Sequence, residues 1–298
     1  MTTTIPTPGS PDGGALRSAG VRPEEQRDTR TTSATARLGT GVRLHYVEQG
    51  DPAGEPLVFL HGWPDSWYSY RRVLSLLPSD RYHAYALDMR GFGDSQAPHD
   101  GYSIDDFTAD VVAFLDAVGL DRATVVGHSF GTFVARRLAE THPDRVARLV
   151  LIGSAVVAFN DVTSEVLDIV RDLTDPVPEQ FIREFQTSTI HHPVPDAFFD
   201  GLIAESRKLP AHAWRASLEG LLAFDDRDLL QHIAAPTLLL WGEHDGLFAR
   251  EDQHRLVAEI PDARLIVYPD TGHCANWERP DAVAADLQAF VASRVAGR

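Results

Sequence analysis

From residue 37 onward, short runs of β-branched and other apolar residues alternate with longer stretches whose apolar positions recur every three to four residues. The short runs at 42–47, 57–60, 83–87, 123–126, 146–152, 237–241 and 264–268 predict strands, the first two bounded by Gly and Pro. The amphipathic stretches at 66–77, 104–118, 130–141, 251–259 and 281–295 predict helices, the second with Ser103 as its N-cap. Strands alternating with helices imply a parallel sheet with helices on both faces. The alternation breaks between 154 and 228, where helical pieces and Pro-rich joints occur without a convincing strand, and this stretch reads as an inserted helical cap. The expected organisation is a core of 37–153 and 229–298 interrupted by that cap, with no internal repeat. Residues 1–36 are Thr, Ser, Pro, Gly and charge with scarcely a bulky apolar side chain. Such a segment cannot offset its ordering entropy by burial and reads as a disordered tail.

Charge narrows the partners. The 298 residues carry 27 Lys and Arg against 43 Asp and Glu, a formal net charge of −16. Such a surface repels phosphate backbones, and the cations, all Arg except Lys208, form no basic cluster. Neither nucleic-acid binding nor polybasic membrane docking is expected. The longest nearly uninterrupted apolar stretch, 149–159, has 11 residues, whereas a bilayer span needs about 20. Cys274 is the only cysteine, so no intramolecular disulfide is possible, and the N-terminal segment lacks the apolar run of an export signal. The expectation is a cytoplasmic protein.

Candidate chemistry begins at Gly127, His128, Ser129, Phe130 and Gly131, which follow a predicted buried strand and open a predicted helix. Gly-x-Ser-x-Gly in that setting makes a turn too tight for a side chain at either glycine. It lifts the serine hydroxyl above the sheet edge at a helix N-terminus. A serine hydroxyl needs a base within reach, itself oriented by a carboxylate. His273, just beyond the last predicted strand, is the candidate base among thirteen histidines. Asp245, shortly after the strand at 237–241, is the candidate acid. Glu243 is its nearest rival, placed at the turn itself with less reach back over the sheet. The oxyanion requires two backbone N–H donors. Phe130 follows the nucleophile, and Trp63 stands in the loop after the strand at 57–60. Cys274 has no separate base and reads as buried packing.

These runs together resemble the α/β-hydrolase superfamily across nearly all of 37–298, which implies a mostly parallel eight-stranded α/β sheet flanked by helices with an inserted helical cap. The loops at 61–69, at 87–95 (Leu-Asp-Met-Arg-Gly-Phe-Gly-Asp-Ser) and at 272–280, with Glu278 before Arg279, look like those of epoxide hydrolases and haloalkane dehalogenases. Enzymes of that branch attack carbon with an aspartate, and this chain has Ser129 there. An alkylated aspartate is an ester that water can cleave. An alkylated serine is an ether with no carbonyl to attack. The ring-polarising cap tyrosines of that branch are also missing, since no Tyr occurs between 154 and 228.

The resemblance therefore points to serine carboxylesterases and lactonases acting through an acyl-enzyme on a mainly apolar small-molecule ester or lactone. No metal or organic cofactor is implied, since the chain has neither a His and Cys cluster nor a phosphate-binding glycine loop. Substrate-contacting side chains are expected at Trp63, Phe130, Phe159, Phe185, Trp214 and Phe224. The other readings are a carbon–carbon bond hydrolase or cofactor-free oxygenase using the same three residues, and a hydrolase-like small-molecule receptor.

Overall fold

The central strands are largely apolar because helices cover both faces of the sheet they form. The computed structural model describes residues 31–293. Its strands are β1 (Thr32–Arg37), β2 (Arg43–Gly50), β3 (Glu55–Leu60), β4 (Tyr82–Leu87), β5 (Ala123–His128), β6 (Val146–Ile152), β7 (Thr237–Gly242) and β8 (Ala263–Tyr268). They form one eight-stranded sheet in the order β1-β2-β4-β3-β5-β6-β7-β8. β2 is antiparallel to β1 and β4, and every other pairing is parallel. The helices are α1 (Arg71–Leu74), α2 (Ile104–Ala117), α3 (Phe130–Thr141), α4 (Asp161–Arg171), α5 (Glu179–Ser188), α6 (Asp196–Ser206), α7 (Ala211–Leu222), α8 (Arg250–Glu259), α9 (Ala275–Glu278) and α10 (Pro280–Ala292).

The two-residue strand period sorts the apolar side chains into two layers. Val58, Leu60, Val125, Leu149, Leu151 and Leu239 pack with α2, α3 and α8 on one face. Leu57, Phe59, Val126, Val150, Leu238 and Leu240 pack with α1, α9 and α10 on the other. The parallel strands all end at one edge, and the loops there carry the chemistry. The stretch between β6 and β7 holds the four helices α4 to α7. Ser103 caps α2 as expected, its hydroxyl accepting from the Asp106 amide in a reciprocal capping box. Among the described residues no helix is long and apolar enough to cross a membrane.

Three element expectations need correction. The tail expected at 1–36 overlaps β1, which begins at Thr32. The rest of that tail, 1–30, lies outside the described residues, as does Val295 at the expected end of the last helix. β1 is held by antiparallel pairing with β2 and by a 2.8 Å hydrogen bond between Ser33 Oγ and His45 Nε2. Backbone pairing at a sheet edge needs no apolar run, so composition did not reveal it. The helix expected at 66–77 shortens to a 3₁₀ turn followed by α1. Its first amides are taken by side chains: Asp88 Oδ1 accepts from Trp67 N at 2.7 Å and Ser66 Oγ from Tyr68 N at 3.1 Å. α9 was not expected.

A buried polar cluster joins α3 to the chain leaving the inserted helices. Arg136 donates to Asp226 Oδ1 at 2.8 Å and to the carbonyls of Ala155 and Val156. Glu140 Oε1 and Oε2 and Asp226 Oδ2 are buried without a donor. Burial first, and Asp226 second, push the Glu140 carboxyl well above the usual carboxylate range. A proton held on Glu140 lets its carboxyl donate to Asp226 and removes the repulsion between two buried negative charges. The folded chain thus keeps a proton that the unfolded chain releases above pH of about 4.3. Stability is accordingly complete below that value and declines as pH rises through the window above it. Glu140→Gln keeps a permanent donor toward Asp226, and the decline should flatten. At pH 8 the variant is expected to melt about 2–4 °C above the parent, roughly 1 kcal/mol for a chain of this size. The gap should close toward pH 5 in a pH series of thermal melts.

Candidate active site

Ser129 joins β5 to α3 at φ +47°, in the left-handed region that a non-glycine residue rarely adopts. Packing enforces this conformation. A Cβ on Gly127 would lie 2.4 Å from the Gly131 carbonyl oxygen, and one on Gly131 would lie 2.2 Å from that of Leu60. The strand-to-helix turn is therefore pressed against the end of β3, so the loop leaving β3 runs beside Ser129. The Ser129 hydroxyl makes no hydrogen bond among the described residues.

That loop is fixed by His61. Its Nε2 accepts from the Met89 amide at 3.0 Å, which leaves Nδ1 to donate to the Gly62 carbonyl at 2.7 Å. Complete burial lowers its pKa to about 4, so the ring stays neutral and holds this tautomer. The Trp63 indole donates to Ser217 Oγ at 3.1 Å and to the Trp214 carbonyl at 3.3 Å, both on α7. The backbone amides of Trp63 and Phe130 donate no hydrogen bond among the described residues.

His273 lies across the adjacent strand end. A Cβ on Gly153, the residue after β6, would sit 3.0 Å from His273 Cε1 and Nδ1, so the imidazole covers that glycine. The Ser129 amide donates to Ile152 at 2.9 Å, so Gly153 is the next residue over from the serine. His273 Nδ1 is 2.8 Å from Asp245 Oδ2, and its Nε2 is buried without a partner. Asp245 is fixed through its other oxygen, which accepts from Leu247 N at 2.9 Å and Phe248 N at 3.0 Å. Glu243 lies elsewhere, exposed and paired with Arg250 at 3.0 Å.

The expected aromatic contacts divide. Trp63 meets Phe185 and Trp214 edge-on, with ring centres 5.1 and 4.8 Å away. Phe224 packs on Phe133, which packs on Phe248. Two expectations are corrected. The Phe130 ring turns into the core against Phe92 and Phe107, leaving only its amide at the site. Phe159 is 59% exposed ahead of α4. Apolar character alone does not tell which way a loop side chain points.

Several contributors were missed. The Phe248 ring stands edge-on to His273 at 5.3 Å. Its signal was its place three residues after Asp245, in the same loop. Asp65 is buried and its carboxyl is pushed up to about 7 by that burial, against the opposing effect of a 2.9 Å hydrogen bond from Gln186 of α5. His128, 3.8 Å from Asp65, has a pKa well below the usual histidine value because of burial and the neighbouring His273, and is neutral. The buried Cys274 thiol, raised by burial, donates to Thr189 Oγ1 at 3.2 Å. It is held as packing and not as a nucleophile. The His273 amide itself donates to Thr189 O at 2.9 Å. Through Ser217, Gln186 and Thr189, three of the loops around the site are tied to the inserted helices.

This fold is that of a hydrolase-type α/β protein, and comparison with known proteins agrees. A family model described as alpha/beta hydrolase fold matches residues 55–280. The chain belongs to the alpha/beta hydrolase family. It is 28% identical over 291 residues to epoxide hydrolase 4 of Mus musculus, covering 85% of this chain and 77% of that protein. To the non-heme chloroperoxidase of Streptomyces lividans it is 31% identical over 284 residues, covering 87% and 99%. Among solved structures, an esterase from Exiguobacterium antarcticum superposes with a TM-score of 0.81 at 23% identity, covering 88% of this chain and all of that one.

Proposed function

We propose that this protein is a serine hydrolase that cleaves a carboxylic ester or lactone of a mainly apolar small molecule. The observation that carries the reading is the buried, unpartnered Nε2 of His273 beside the Ser129 turn, with its Nδ1 bound to Asp245. Ser129 Oγ attacks the substrate carbonyl while His273 Nε2 takes its proton. Asp245 keeps the imidazole in the tautomer that can accept. The amides of Trp63 and Phe130 stabilise the oxyanion. His273 then protonates the leaving alcohol, and water activated by the same nitrogen releases the acid and restores the serine. An aspartate at the nucleophile position would suit the epoxide chemistry named in the mouse relative. The serine supports acyl transfer instead.

A relative named as a bifunctional esterase/perhydrolase, from Acinetobacter calcoaceticus and 29% identical over 271 residues, supports a second reading on the same site, in which hydrogen peroxide replaces water as acyl acceptor. The acyl-enzyme then gives a peracid and free Ser129. A panel of aryl esters, lactones, an epoxide, β-diketones and quinolones, assayed with and without peroxide, separates these chemistries. Ester or lactone cleavage is expected, lost in step with labelling of Ser129 by a serine-reactive phosphonate. Epoxide opening without ester cleavage, or a phosphonate adduct on another residue, would overturn the reading.

A further inference from the structure

On the outer rim of the site, three side chains from three loops converge. His191 lies between α5 and α6, His244 immediately precedes Asp245 after β7, and Asp270 follows β8 three residues before His273. The rings of His191 and His244 are stacked, their centres 4.0 Å apart and their planes 15° from parallel. His244 Nε2 is 3.8 Å from Asp270 Oδ1. One donor atom from each residue falls within 4.8 Å of the other two, and all three residues are exposed. We propose that His191, His244 and Asp270 bind a divalent transition-metal ion of the Zn²⁺ type, and that the ion clamps the inserted helices to the loops carrying Asp245 and His273.

The donor set is the first argument. Two imidazole nitrogens and a carboxylate suit Zn²⁺, Ni²⁺ or Cu²⁺ and suit Mg²⁺ or Ca²⁺ poorly. At metal–ligand distances of about 2.0–2.1 Å, tetrahedral donors stand about 3.3 Å apart. The donor atoms lie within 4.8 Å of one another, so closing them to that spacing takes at most about 1.5 Å, with a rotation of the exposed, stacked rings that turns both nitrogens toward one ion. A water completes a three-residue site. The second argument is that the backbones bearing these ligands are already locked together. Glu278 Oε2 accepts from His191 N at 3.1 Å and His192 N at 2.8 Å, while its Oε1 accepts from Gly272 N at 2.9 Å. The His244 amide donates to Thr271 O at 2.8 Å. Binding therefore orders only side chains, which keeps its entropic cost small. The third is electrostatic: a chain of net charge −16 concentrates cations at its surface. Ring stacking accounts for the two histidines but not for a carboxylate brought to their shared edge.

The tag-free full-length chain, titrated with ZnCl₂ at pH 7.5 in a buffer that does not chelate, tests this by calorimetry and thermal melting. One saturable site per chain is expected, with a rise in Tm that MgCl₂ does not give. Affinity should fall at least tenfold in His191→Gln and in His244→Gln. No saturable Zn²⁺ binding to the parent, or binding left unchanged by both substitutions, would overturn the proposal. The test reads binding directly, so it succeeds or fails whatever reaction Ser129 performs.

Discussion

Ser129→Ala is expected to lower kcat for aryl-ester hydrolysis by about 10⁵ to 10⁶-fold, the loss seen when the nucleophile of a cooperating triad is removed. KM should move little, because the amides and apolar walls that bind the ester are unchanged. The fold should lose nothing. The hydroxyl has no hydrogen bond to forfeit among the described residues, and alanine has the same Cβ at the same φ of +47°. Ser129→Gly separates strain from chemistry. It should be as inactive as alanine yet more stable by about 1 kcal/mol, because glycine adopts a positive φ without the steric penalty. Parent and variants compared by single-turnover kinetics and thermal melts would show this. An alanine variant within tenfold of the parent in kcat would remove Ser129 from the reaction. A glycine variant less stable than the parent would show instead that the turn is held by the serine side chain.

How much of this was legible in the chain follows from what holds each part. β5, β6 and β7 could be read because a parallel strand covered on both faces carries a continuous apolar run, as at Leu149, Val150, Leu151 and Ile152. β1 could not, because an edge strand written Thr-Ser-Ala-Thr-Ala-Arg is stabilised by backbone pairing. At the site, Ser129, His273 and Asp245 were accessible because strand ends in such a sheet share one edge, so residues far apart in sequence are brought together by topology. Asp65 and Phe248 were not, since their significance lies in contacts made across segments: Gln186 reaching Asp65 from α5, and Phe248 turning toward His273. Phe130 shows the limit from the other side. Its amide and its ring face opposite ways, and sequence position spoke only for the amide.

Asp245→Asn is expected to cost about 10⁴-fold in kcat near neutral pH while leaving the fold intact, and the hydrogen bonds around Asp245 show why. Oδ1 accepts from the amides of Leu247 and Phe248. Only the carbonyl of an asparagine can occupy that place. Its NH₂ is then forced into the position of Oδ2, pointing at His273 Nδ1. A donor there requires Nδ1 to be the acceptor, so the ring proton moves to Nε2, which can no longer take a proton from serine. The imidazole is held in place in the wrong tautomer. Glu243→Gln is the paired control: exposed and bound to Arg250, it should leave kcat within about twofold, as a surface substitution does. If Asp245→Asn kept more than a tenth of parental activity while Glu243→Gln lost it, the carboxylate serving His273 would have been misassigned. If both variants kept full activity, His273 would be working without a carboxylate partner, and the imidazole's orientation would have to come from the Gly153 and Phe248 packing alone.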